Sequence, residues 1–153
     1  VLDYFIRYCL RKTYVGQIDH AALRTLFKAL KAVDAVWTSV DQDFGLKQGV
    51  MAPFFGYPAA TLIATSRMAR VNNSPVVFVH FMRNPDEQTY TMHFTAPLTG
   101  YPSGDDVVDA TRLNAELETL IRRAPTQYMW FHRRFKSRPA GESAPYIKKK
   151  RKR

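Results

Sequence analysis

The chain has 153 residues and a formal charge of +10, with one cysteine and 46% hydrophobic residues. That length is enough to bury the core of one ordinary domain. No run of about eighteen apolar residues offers a transmembrane helix, early charges in "VLDYFIRYCLRK" argue against a signal peptide, and Cys9 alone cannot form an intrachain disulfide. A reducing compartment and at most a peripheral membrane contact are therefore expected. The terminal "KKKRKR" supplies six of the positive charges, so the remainder is only mildly basic.

The chain begins on Val1 inside an amphipathic pattern, which raises the expectation of a piece of a longer protein. Leu2, Phe5, Ile6, Cys9 and Leu10 recur at helical spacing, and Leu23, Leu26, Phe27 and Leu30 do the same after Asp19. "AVWTSV", from Ala35 to Val40, reads as a short strand that ends in the polar loop "DQDFG". The apolar run "VMAPFFG" closes at Gly56, and Pro58 is placed to open a helix through Leu62, Thr65, Ser66 and Ala69. "PVVFVHFMR" reads as a buried strand, and "QTYTMHFTA" as its half-exposed hairpin partner across "NPDEQ". A helix is expected from about Val107 to Arg123, and another from Pro125, carrying "QYMWFHRRFKSRP". Strands mixed with helices and no internal repeat predict an α/β domain with a central sheet over residues 1–139, followed by a flexible basic tail over 140–153.

Signatures of common chemistries are missing: there is no GxSxG, no phosphate-binding glycine loop, no paired CxxC and no HExxH. His20, His80, His93 and His132 are widely separated in sequence, and strand histidines are more often packing residues than ligands, so no metal site is assigned. Asp41 and Asp43 stand two apart, so on an extended segment both side chains point the same way and could face one pocket. Aspartates of a Gly-closed turn also bond their own backbone, and spacing alone favours that solvated turn over a functional pair. Phe54 and Phe55 fit an apolar wall or an ordinary core equally well, with Gly56 allowing close backbone approach.

On a helix from Pro125, Tyr128, Phe131, His132 and Phe135 share one face, while Trp130, Arg133 and Arg134 point elsewhere. Aromatics beside arginine forks suit a phosphorylated lipid at a membrane surface. They equally describe an amphipathic helix anchored by its rings, with arginines in surface ion pairs. Two further readings lack chemistry: a nucleic-acid-binding module with a base-stacking surface, and an anionic-membrane-binding module.

"VWTSVDQDFG", "GVMAPFFGYPAATLIATSRMAR", the strand ending in Arg83 and "APTQYMWFHRRFKSRPAGE" together resemble the C-terminal half of the lipid A biosynthesis acyltransferases, the lauroyl and myristoyl transferases of Gram-negative bacteria. The likeness reaches about Tyr146, with Ser137 where threonine is usual and with "KKKRKR" outside the pattern. It implies a glycerolipid-acyltransferase-like α/β fold, a mixed sheet flanked by helices, here incomplete at the N-terminus. It also implies the cytoplasmic face of the inner membrane, and transfer of a fatty acyl group from acyl carrier protein to a hydroxyl of a Kdo-bearing lipid A precursor without another cofactor.

The family's catalytic histidine is followed, after four residues, by Asp or Glu. Thr25, Pro85, Leu98 and Ser137 occupy the corresponding positions after the four histidines. The resemblance thus places the dyad upstream of Val1 and predicts this chain alone to be inactive. It gives Asp41 and Asp43 supporting roles beside the active site, and Phe54, Phe55 and Gly56 the acyl chain. It leaves Arg83, Tyr128, His132, Arg133, Arg134, Lys136 and Arg138 for the phosphorylated substrate, with the last cations as an alternative dock for acyl carrier protein.

Overall fold

The computed structural model describes residues 23–32, 35–86 and 88–146. The chain divides into two compact units, Val1–Trp37 and Thr38–Arg153. In the first, α1 spans Leu23–Lys31, with Lys28 and Lys31 in its last turn, where cations complement the helix dipole. The helix expected over Leu2–Leu10 lies outside the described residues, as do Cys9, His20 and "KKKRKR".

The second unit holds β1 (Gly49–Phe54), β2 (Tyr57–Leu62), α2 (Ala64–Asn72), β3 (Val79–Arg83), β4 (Tyr90–Phe94) and α3 (Asp106–Arg123), then a single 3₁₀ turn at Pro125–Gln127. Two separate antiparallel hairpins, β1–β2 and β3–β4, stand where one mixed central sheet was expected among these residues. The α/β class therefore holds, and the sheet arrangement is corrected.

Tyr57–Leu62 is a strand and not the start of a helix. The reason is the two-residue turn: Phe55 and Gly56 have φ of 48° and 79°, as a type I′ turn requires, and it folds the chain straight back onto β1. A β-carbon on Gly56 would meet nothing within 4 Å, so its glycine is required by backbone conformation and not by close approach. At Gly49 the reason is space, since a β-carbon there would lie 2.5 Å from the Thr61 carbonyl oxygen.

Phe54 pairs with Tyr57, so the next pair, Pro53 opposite Pro58, is of the kind whose backbone groups point away from the partner strand. Two prolines without N–H therefore leave the ladder intact, and their carbonyls face outward. The helix expected at Pro58 begins six residues later, at Ala64, and ends at Asn73 in the left-handed region, with φ 49°.

α3 forms as predicted. Asp105 caps it by accepting from the N–H groups of Val107 at 2.7 Å and Val108 at 3.0 Å. Asp106 and Asp109 occupy its first turn and Arg122 and Arg123 its last. Pro125 ends it by driving Ala124 out of helical geometry, to φ −147°. One side of α3 carries Ile121 into a core with Phe54 and Ala59; the other carries Leu113 and Leu120 against Phe78, with Val40, Leu98 and Tyr101 alongside. Leu117 touches both clusters, so this helix joins the two hairpins.

Three further expectations change. Ala35–Val40 belongs to no strand and pairs with none among the described residues. The buried strand over "PVVFVHFMR" shortens to Val79–Arg83, and only Phe78 just before it is buried. Phe81, Tyr90, Met92 and Phe94 stay exposed, since no described element covers that face of the hairpin. The helix expected from Pro125 stops after one 3₁₀ turn.

On the other face of this hairpin His80 stands opposite His93. Burial, His93 and then Arg123 hold the His80 pKa below its ordinary 6.5. The unfolded chain therefore takes up this proton first, so the stabilisation is complete above pH 6.5 and is lost as the pH falls below it. Thermal unfolding followed between pH 7.5 and 5 is expected to show a falling midpoint below about pH 6.5, and His80→Gln should flatten that part of the profile.

Candidate functional site

The polar centre of the second unit is built around Arg134, only 2% exposed. Its Nη1 donates to the Ala60 carbonyl at 2.6 Å, and its Nη2 to Thr61 Oγ1 at 2.8 Å and Asn114 Oδ1 at 3.1 Å. Asn114 in turn donates to Thr61 Oγ1 and to the Pro53 carbonyl, both at 2.9 Å. The guanidinium also lies 5.1 Å over the Phe54 ring. Arg138 takes the Pro58 carbonyl at 2.8 Å and forms an ion pair with Glu142. These two arginines thus fill successive outward carbonyls of β2 and close an edge that would otherwise be open to another strand. Burial lowers the Arg134 pKa, opposed by the fields of Tyr128, Asp43 and Asp41.

The aspartates of the Asp41–Gly45 loop face different tasks. Asp43 is 4% exposed and accepts from the N–H of Gly45 at 2.9 Å, the N–H of Ser137 at 2.7 Å and the Ser137 hydroxyl at 2.8 Å. It acts as a clasp between loop and C-terminal segment. Asp41 is half-buried and accepts from Ser39 Oγ at 2.6 Å and Tyr128 Oη at 3.2 Å. Burial, then the Asp41 charge and hydrogen bond, push the Tyr128 phenol well above its ordinary pKa, so it remains a protonated donor.

The remaining candidates divide between core and surface. Phe54 is buried, while Phe55 is half-buried with its N–H on Glu118 Oε1 at 2.7 Å. The Phe55 ring lies 4.8 Å beneath Arg122 and 5.9 Å from Trp130. Phe135 packs on Phe54 at 6.1 Å. Arg83 ends β3, its backbone gripped at both N–H and carbonyl by the Gln127 amide at 2.7 and 3.0 Å. His132 is half-buried, Lys136 exposed, and Arg133 exposed with its guanidinium 5.8 Å over the Tyr146 ring.

The single helical face expected of Tyr128, Phe131, His132 and Phe135 does not form. Tyr128 and Phe135 pack inward and Phe131 stands 85% exposed. The structure brings Asp41, Tyr128, Arg134 and Phe54 into one neighbourhood, while Arg83 belongs to the other hairpin. Among the described residues no group of three or more His, Cys, Asp or Glu could hold a metal ion, and no helix is long and apolar enough to cross a membrane.

Thr61, Asn114 and Glu118 were not among the residues singled out from the sequence. For Asn114 a signal exists: it interrupts the stripe of Ala110, Leu113, Leu120 and Ile121 on the buried side of α3, where a poor helix former needs a partner. Ser137, noted only as a substitution for threonine, supplies two of the Asp43 contacts.

Arg134→Ala is expected to reduce unfolding free energy by about 3 kcal/mol or more, because it strands two buried acceptors, the Ala60 carbonyl and Asn114 Oδ1, and takes one of two donors from Thr61 Oγ1. Arg134→Lys should recover only part of that in urea titrations, since an ammonium lacks the planar fork. Ser137→Thr should lie within about 0.5 kcal/mol of the parent, as hydroxyl and N–H are both retained.

The family model for the bacterial lipid A biosynthesis acyltransferases matches residues 6–137. The chain is 41% identical over 133 residues to a lipid A biosynthesis palmitoleoyltransferase of Escherichia coli, covering 86% of this chain and 43% of that protein. It is 36% identical over 132 residues to the lauroyltransferase of the same organism, again covering 86% and 43%. It is 31% identical over 109 residues to the myristoyltransferase, covering 71% and 34%. The chain thus spans less than half the length of these relatives.

Proposed function

Because this chain belongs to the bacterial lipid A biosynthesis acyltransferases, we propose that it forms the part of an acyltransferase that shapes one side of the active site and its lipid contacts. The reaction is transfer of a fatty acyl group from acyl carrier protein to a hydroxyl of a Kdo-bearing lipid A precursor, at the cytoplasmic face of the inner membrane. The relatives are named for palmitoleoyl, lauroyl and myristoyl transfer, which differ in the acyl group and share the transfer itself.

A sugar hydroxyl attacks a thioester only if a base takes its proton while fixed donors hold the developing oxyanion. The family's His-x-x-x-x-Asp/Glu dyad would be that base, and none of the four histidines here has the pattern. This chain therefore needs the rest of a family-length polypeptide for catalysis. Its own contribution is positional: the Asp41 carboxylate, held between the Ser39 and Tyr128 hydroxyls, presents negative charge beside the site to orient a substrate hydroxyl or a neighbouring cation. Asp43 serves the same site indirectly, by holding the loop that carries Asp41. Phe55, with Trp130 and Arg122, offers an aromatic and cationic edge for an acyl glycolipid, and Arg133 and Lys136 stand on the surface for phosphate, with half-buried His132 beside them. Arg134 and Arg138 have their Nη donors committed inside the fold and support that surface from beneath.

The observation that carries this reading is the family match over residues 6–137, together with the Asp41–Tyr128 hydrogen bond that joins two of its motifs. In a family-length polypeptide containing this chain, Asp41→Asn is expected to lower kcat for acyl transfer from acyl carrier protein about 10- to 100-fold. The unfolding midpoint should be unchanged and KM nearly so. The isolated 153-residue chain should form no product above background, and product formation by that chain would refute the assignment of the base to a missing dyad.

A further inference from the structure

Met129, Trp130 and Phe131 are consecutive in sequence, and 52%, 54% and 85% of their surfaces are exposed. Three adjacent large apolar side chains in water need a partner to explain them. Three donors of this loop are already satisfied from within. Trp130 Nε1 donates to the Pro125 carbonyl at 2.6 Å, Trp130 N–H to Tyr128 O at 2.9 Å, and His132 N–H to Met129 O at 3.1 Å. Those three donors are not stranded if the loop leaves water, which lowers the cost of entering a nonaqueous interface. Cations border it: Arg133 lies two residues and exposed Lys136 five residues after Phe131, and Arg122 lies over Phe55, whose ring centroid is 5.9 Å from that of Trp130.

The exposed face of β3–β4 is apolar too, but among the described residues no third strand pairs with either outer edge, and apart from Arg83, held by Gln127, open backbone there would be penalised by hydrocarbon, so lipid is a poorer match. We propose that the Met129–Phe131 loop is a membrane-insertion tip, entering the interface of an anionic bilayer with its apolar side chains at the acyl boundary and the neighbouring cations among lipid phosphates. This inference rests on the reading of the chain as part of an enzyme working on lipid at a membrane surface, and it names the loop by which that surface is met.

The test uses the 153-residue chain with Trp37→Phe, which leaves Trp130 as the sole tryptophan. It is titrated with vesicles of phosphatidylglycerol and phosphatidylethanolamine, and separately with phosphatidylcholine alone. Trp130 emission should shift to the blue on the anionic vesicles and be quenched by lipids brominated on their acyl chains. Met129→Ser with Phe131→Ser should weaken partitioning about tenfold or more, with an unchanged thermal midpoint. Arg133→Glu should reduce the preference for anionic lipid.

An unshifted, unquenched Trp130, or a double variant that binds as well as its parent, would overturn the proposal. So would a dimer of the parent that the double variant abolishes, because a second copy would then cover the loop. A family-length enzyme inactive in acyl transfer would sink the functional reading while leaving this vesicle result standing, so the two failures remain distinct.

Discussion

A buried guanidinium bonded to three acceptors organises the second unit. Removing such a charge from water costs several kcal/mol, which is offset only when its donors meet well-placed acceptors. Arg134 meets that condition at both Nη atoms, through Ala60, Thr61 and Asn114, though its buried Nε has no partner among the described residues, and it ties together the edge of β2, the middle of α3 and the segment after Pro125. Neither hairpin would be stable alone, since two strands bury too little. The packing of Phe54, Ala59 and Ile121 provides the apolar half of the same junction, and Arg134 lies over the Phe54 ring. Specific polar geometry and close packing therefore converge on one place, which leaves little latitude for β1–β2 to move relative to α3.

That rigidity bears on chemistry. Positioning a hydroxyl to within a fraction of an ångström requires the supporting groups to be held by others. Asp41 receives two hydroxyl donors, and its loop is fixed two residues later by Asp43. Two carboxylates of similar sequence context thus divide into one partly accessible group and one internal fastener. The distinction comes from burial and partners, which residue type and spacing alone do not encode.

Much of the architecture was legible. The cap Asp105, the acidic first turn and the closing Pro125 make α3 readable from its ends, and the alternation in "QTYTMHFTA" marks β4. The family motifs were also readable, because their residue identities are unusual in combination. β2 was misread because Pro58 is a common helix opener, and because a type I′ turn normally advertises itself by Asn-Gly or Asp-Gly. Here Phe55 occupies the first left-handed position, an uncommon state for an aromatic residue that its contacts with Glu118, Arg122 and Trp130 help to hold. The segment after Pro125 looked helical because aromatics and cations recur at suitable intervals. Its geometry is instead dictated by distant carbonyls of β2 and by the Asp43 carboxylate, partners that local periodicity cannot reveal.

The fastening of Asp43 to Ser137 spans 94 positions of sequence. During synthesis on a ribosome, the carboxylate emerges long before either of its Ser137 donors exists as part of the chain. Until then only the local Gly45 N–H is at hand, and water must supply the rest. Closing so long a loop is entropically demanding, although the penalty grows only logarithmically with length. The clasp therefore belongs to the late stages of assembly, and a nascent chain that stops short of Ser137 would present the Asp41–Gly45 loop without its anchor. Emergence of the segment around Ser137, and not the earlier formation of the hairpins, is then the step that sets this loop in place.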